Sequence, residues 1–132
     1  MNLSISNIAW NIDEDEEISK ILNDYKINFI DIAPNKYFHE IITTNNQDIL
    51  KVKNFWKRRN IQISCMQSLL FNTKNFNIFN YDEHSSGSIL NHLEKIIKIA
   101  NKLGAKNLIF GELINFISER IPIIKIIKKN KF

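Results

Sequence analysis

The 132-residue chain contains one cysteine, three glycines and two prolines, and each scarcity removes a class of protein. A lone cysteine, Cys65, excludes an internal disulfide framework and any cysteine-based zinc cluster. It sits in an apolar run, where a thiol is expected to be buried and inert. The glycines are Gly87, Gly104 and Gly111, so no Gly-rich loop follows the first strand and a Rossmann or P-loop nucleotide site is excluded. No uncharged run reaches the roughly 18 residues that a spanning helix needs. The amino-terminal residues show no basic segment leading into an apolar one. A cytoplasmic protein with no membrane partner is the expectation. Histidine is equally scarce: His39, His84 and His92 form no HxxxH-type pair. No complete metal site is therefore expected in this chain, and His92 reads as a surface or helix-boundary residue.

What is present is apolar and charged in the proportions of an ordinary domain, 44% hydrophobic and 24% charged. Isoleucine, asparagine and lysine supply 26, 19 and 15 residues, a skew that leaves individual Lys and Asn residues with little information. The formal net charge of +4 is not spread over the chain. Residues 119–132 hold Arg120, Lys125, Lys128, Lys129 and Lys131 against Glu119, a balance of 5 − 1 = +4. The first 118 residues carry 13 basic and 13 acidic side chains and are neutral. A nucleic-acid groove needs cations clustered on the folded face, so no nucleic-acid partner is expected.

Along the chain, NLSIS (residues 2–6) alternates apolar and small polar residues as a short strand does. In the following acidic run Asp13 is placed to cap a helix, with Glu16 at the capping-box position. Ile18, Ile21, Leu22 and Tyr25 then fall on one helical stripe. The same grammar repeats. INFIDIA (27–33) is a strand that stops at Pro34, and TTNNQD leads into a helix with Ile49, Val52, Phe55, Trp56 and the stem of Arg59 on one face. IQISCMQ (61–67) is a third strand. A long connection, 68–87, carries Phe71, Phe76, Phe79 and Tyr81 and ends in SSGS, which suits the cap of a third helix. That helix buries Ile89, Leu93, Ile96, Ile97, Ala100 and Leu103, and Gly104 suits the left-handed position after it. NLIFG (107–111) is a fourth strand. Four strands separated by helical patterns predict an α/β fold with a parallel sheet.

In such a sheet chemistry gathers at the carboxyl ends of the strands, where the loops converge. Those ends hold Asn7 and Trp10, Asp31 and Lys36, and Gln67 with Ser68. The amides of Asn7 and Gln67 can bond sugar hydroxyls, Trp10 can stack on a sugar face, Lys36 can meet a phosphate, and Asp31 can accept from a hydroxyl or pair with Lys36. Each has a structural alternative. Asn7 can end its strand in a turn, Trp10 can plug the core, and Asp31 can bond loop amides.

Together LSISNIAW, IDIAPNKYF, CMQSLLF and LGAKNLIFG resemble the xylose-isomerase-like TIM-barrel superfamily, in particular its sugar phosphate isomerase/epimerase group. The resemblance covers residues 1–111. It implies the first half of a (β/α)₈ barrel, about four strands and three to four helices, with Asn7, Trp10, Asp31, Lys36 and Gln67 lining a site for a sugar or sugar phosphate. For the intact family it implies a divalent metal beside a carbonyl and carboxylates that move a proton. In that family the metal and acid/base residues lie mostly on later strands and have no counterpart here.

After Gly111 the family pattern is lost, and residues 112–132 form a divergent, lysine-rich tail. A full barrel needs about 250 residues. The expectation is an amino-terminal half, cut short by a frameshift or early stop and inactive alone. Three alternatives stand beside it: a fragment resembling metal-dependent apurinic endonucleases, a non-catalytic interaction module, and a half barrel that associates with itself through open sheet edges.

Overall fold

The structure, a computed structural model, describes residues 3–70, 73 and 83–110, the last segment with side chains from residue 89 onward. The aromatic residues of the long connection and the tail from Gly111 lie outside the described residues. Strand β1 (Ser4–Ser6) is followed by two 3-10 turns (Asn7–Ala9 and Ile12–Glu14) and helix α1 (Asp15–Asp24). Then come β2 (Phe29–Ile32), the single-turn α2 (Pro34–Tyr37), α3 (Asn46–Lys57), β3 (Gln62–Gln67), α4 (Glu83–Leu103) and β4 (Asn107–Ile109). All neighbouring strands pair in parallel, in the order β1-β2-β3-β4. The fold is α/β.

That order has a consequence. A doubly wound sheet reverses direction at a switch point and puts helices on both faces. A sheet that grows one way through crossovers of one hand puts every helix on the same face. Accordingly Ile30, Ile32, Ile63 and Met66 project from one face and form a single cluster with Leu22, Ile49, Trp56, Ile96, Ile99 and Leu103 of the helices. Ile30 and Ile32 are fully buried, each contributing about 1.5–3 kcal/mol by its removal from water. The alternate residues of the strands face the other way.

Several local expectations are corrected. The capping box lies two residues earlier than the acidic run suggests: Glu14 Oε2 accepts the Asn11 N–H at 2.6 Å, while Glu16 instead pairs with Arg59 across to α3. The run of acids fits either frame, and the Arg59 pairing is long-range, which sequence spacing does not reveal. Of the α1 stripe, Leu22 is buried and Ile18 packs on the core, but Ile21 and Tyr25 are exposed, as is Ile97 on the face of α4 expected to be buried. Pro34 starts a helix instead of ending a strand in a loop, because its fixed φ and missing N–H suit the first helical position. Helix α4 already runs at Glu83, so the SSGS residues are inside it. Serine and glycine are weak helix formers, but a long helix propagates through them at about 1 kcal/mol or less each.

The three helices that lead into a strand stop in the same way. Lys26, Asn60 and Gly104 take positive φ, 57°, 58° and 89°. The next N–H, of Ile27, Ile61 and Ala105, returns to the carbonyl of Leu22, Trp56 and Ala100 at 2.8, 3.1 and 3.0 Å. This six-to-one closure satisfies the orphan carbonyls and turns an apolar residue into the core. At the other end of α3, Asn45 Oδ1 caps the Asp48 N–H at 2.9 Å.

Candidate functional site

On the face opposite the helices, Asp31 stands in the middle of the sheet. Its Oδ1 accepts the hydroxyls of Ser4 on β1 at 2.7 Å and of Ser64 on β3 at 3.0 Å. A bulge makes the second contact possible: Ile30 pairs with Ile63 but Asp31 with Cys65, so Ser64 is an extra residue and both it and Cys65 reach the carboxylate. Beyond them Gln67 Nε2 reaches over β2 to the Ser6 hydroxyl on β1. The open face therefore carries two hydrogen-bonded polar groups, Ser4–Asp31–Ser64 and Ser6–Gln67, drawn from three strands.

The Cys65 thiol is buried, and burial, with the Asp31 carboxylate beside it, pushes its pKa up to about 12. It is a poor nucleophile, as its apolar run predicts. Immediately after Gln67 the chain leaves the sheet through Ser68, a non-glycine residue at φ 52°. That left-handed residue turns Leu69 and Leu70 into the core. His92 of α4 holds this turn: its Nε2–H donates to the Leu69 carbonyl at 2.9 Å. The sequence reading of His92 as a surface residue is corrected, since it is only 3% exposed. Its apolar neighbours in α4 were the available signal.

The other rim residues form a second cluster. Asn7 is buried, and its Oδ1 accepts the Ala33 N–H at 2.8 Å, tying the first loop to the end of β2. Its Nδ2 is buried short of hydrogen-bond geometry, acting only weakly on the Tyr37 hydroxyl. Lys36 Nζ donates to the carbonyls of Asn7, at 2.8 Å, and of Trp10. Of the two partners open to Asp31, a hydroxyl or Lys36, the structure has the hydroxyls: the aspartate bonds two serines, and the lysine bonds two carbonyls. Trp10 is 7% exposed, packs edge-on against Trp56 with ring centroids 6.3 Å apart, and donates Nε1–H to Asp15 Oδ1 at 2.7 Å. Asp15 Oδ2 accepts the Tyr37 hydroxyl at 2.7 Å, and the Tyr37 hydroxyl oxygen in turn accepts Trp56 Nε1–H at 3.1 Å. Burial holds the Asp15 carboxyl above its ordinary range, and the Trp10 and Tyr37 hydrogen bonds pull it partly back. Burial and the neighbouring carboxylate raise the Tyr37 hydroxyl well above its usual value.

The five expected residues are therefore divided. Asp31 and Gln67 lie on the open face, while Asn7 Oδ1, Trp10 Nε1 and Lys36 Nζ are engaged in holding the first two loops together. Ser4, Ser6 and Ser64 were missed as partners. Their signal was the alternation of serine with isoleucine in SIS and ISC. Asp15 lies in the same acidic run as Asp13 and Glu16, and nothing local marks it as the buried one.

Chemically, the open face offers a carboxylate acceptor, an amide and three hydroxyls, a set that suits hydroxyl-bearing ligands. Among the described residues no three His, Cys, Asp or Glu side chains come together to hold a metal ion. The donor set at Asp31, one carboxylate with serine hydroxyls, does not fit a divalent-metal centre. Among the described residues no helix is long and apolar enough to cross a membrane. The chain matches no protein-family model, and no curated protein is similar to it at a significant level.

Proposed function

We propose that this chain is the framework of a barrel resembling the sugar phosphate isomerases and epimerases, and that its open sheet face binds a sugar or sugar phosphate. One observation carries the reading: Asp31 is held by hydroxyls from both neighbouring strands on a polar face of an all-parallel, sequentially ordered sheet. Serine hydroxyls fix the carboxylate without neutralising it, so it can still accept from a sugar hydroxyl. Gln67 supplies an amide on the same face. The site binds without turning over: a lone carboxylate beside an un-ionised thiol provides no second group to move a proton. Lys36 serves a phosphate only by releasing the carbonyls of Asn7 and Trp10, so hydroxyl recognition dominates. A cytoplasmic location accompanies this reading, and one buried, unpaired thiol suits it.

Titration calorimetry with pentoses, hexoses and their phosphates tests the proposal. The expected result is binding that weakens about tenfold, some 1.4 kcal/mol, in Asp31→Asn, the loss of one charge-assisted hydrogen bond. Equal affinity in parent and variant, or no binding by either, overturns it. Turnover of a sugar phosphate by the purified chain overturns the non-catalytic part.

A further inference from the structure

The two outer strands leave matching edges. β1 and β4 are each three residues long, run in the same direction, and have no described strand on their outer sides. Ile30 and Ile32 of β2 and Ile63 and Met66 of β3 are buried, but large apolar residues at the edges are exposed: Leu3 beside β1 by 54%, and Ile109 and Phe110 at β4 by 50%. A parallel sheet is normally covered on both faces, whereas here the described helices cover one. An exposed apolar edge is also a template for another strand.

We propose that a second copy of this chain closes the sheet. A two-fold axis along the strand direction sets β1 of each copy beside β4 of the other and keeps every strand parallel. Both seams are identical, and no described edge remains free. The four described strands of each copy make eight, the number at which a barrel interior is filled by side chains. A contact of this kind is isologous and closed, so it stops at two copies. The polar faces then line one shared interior, and each copy's Asp31 surface is completed by its partner's. The inference rests on strand order, direction and edge exposure, and stands whether or not a sugar binds.

Sedimentation equilibrium on the full chain, over about a hundredfold range of concentration, reads the assembly directly. The expected result is a monomer–dimer equilibrium with nothing larger. Ile109→Lys and Phe110→Lys, which put a charge on the β4 edge, weaken the dimer about tenfold or more while the far-ultraviolet circular dichroism is unchanged. A second measurement does not depend on those variants folding well. Ser4, Ser6, Asn107 and Ile109 are on the open-face side of their strands, so among mixtures of a Ser4→Cys or Ser6→Cys chain with an Asn107→Cys or Ile109→Cys chain, the pair that the seam register brings together forms a disulfide-linked dimer on oxidation, and neither chain does so alone. A monomer at every concentration, assembly beyond two copies, or cross-linking no greater in any mixture than in each chain alone overturns the proposal.

Discussion

Trp10 donates its indole N–H to Asp15 Oδ1 at 2.7 Å inside the packed first loop. The same carboxylate takes the Tyr37 hydroxyl, so one aspartate connects the loop after β1 to α2 and, through Tyr37, to Trp56 of α3. Removing it leaves two buried donors without an acceptor, each costing about 1–3 kcal/mol. Asp15→Ala should therefore destabilise the fold by about 2–4 kcal/mol, read as a lower urea midpoint with an unchanged slope. A loss below about 1 kcal/mol would mean that water replaces the carboxylate and that the network does not hold the loops.

The pH dependence of that network has a definite sign. Burial raises the folded-state pKa of Asp15 above its unfolded value. The unionised form is the one the fold favours, so the contribution is complete below the unfolded pKa and is lost as pH rises through the folded one. Asp48 acts oppositely: its hydrogen bond to Lys51 lowers its pKa, and its contribution is lost as pH falls. Comparing the parent with Asp15→Asn cancels Asp48. The stability advantage of the parent over Asp15→Asn should shrink as pH rises from the ordinary carboxylate range through the raised folded-state pKa. Unfolding curves across that window measure it, and an advantage that grows with pH would reverse the assignment.

Periodicity made the fold legible and left the site half legible. Alternation in SIS, FIDI and QISCMQ fixes strands regardless of context, and a βαβ rhythm leaves a parallel sheet as the economical arrangement. The rim positions follow from the same logic, since the carboxyl end of a strand is a place in the chain. What a rim residue bonds is not. Asn7 and Lys36 meet partners 26 to 29 residues away in sequence, and no local pattern encodes such pairings. The bulge at Asp31 belongs to the same class: Ser64 reaches the carboxylate only because two strands differ by one residue in register. The buried His92 shows the limit from the other side, because helical spacing gave its position but not the backbone of Leu69 waiting for it.

The repeated helix stop gives a prediction with two signs. Lys26 holds φ 57° with a Cβ, a conformation that costs roughly 1 kcal/mol in a non-glycine residue. Lys26→Gly should stabilise the protein by about 0.5–1 kcal/mol. Asn60→Gly should gain less, because asparagine tolerates the left-handed region. Gly104→Ala should lose about 1 kcal/mol from strain alone, since a Cβ there meets nothing nearer than Lys53 Nζ at 4.0 Å. Thermal melts of the three variants test the set, and a destabilised Lys26→Gly would show that the lysine side chain matters more than its backbone.

Cys65 supplies a prediction about reactivity. With its pKa pushed up to about 12 by burial and by the Asp31 carboxylate, the thiol stays protonated near pH 8. The sulfur also lies in the sheet, paired in register with Asp31 and Asn107. Iodoacetamide should leave the native protein unmodified and label it fully once urea unfolds it. In Asp31→Asn the charge is removed while the burial remains, so the thiol pKa should fall part of the way and native labelling should quicken. Because desolvation is the largest cause, the gain is limited, and labelling in Asp31→Asn as fast as in urea would show that the carboxylate, not burial, protects the thiol.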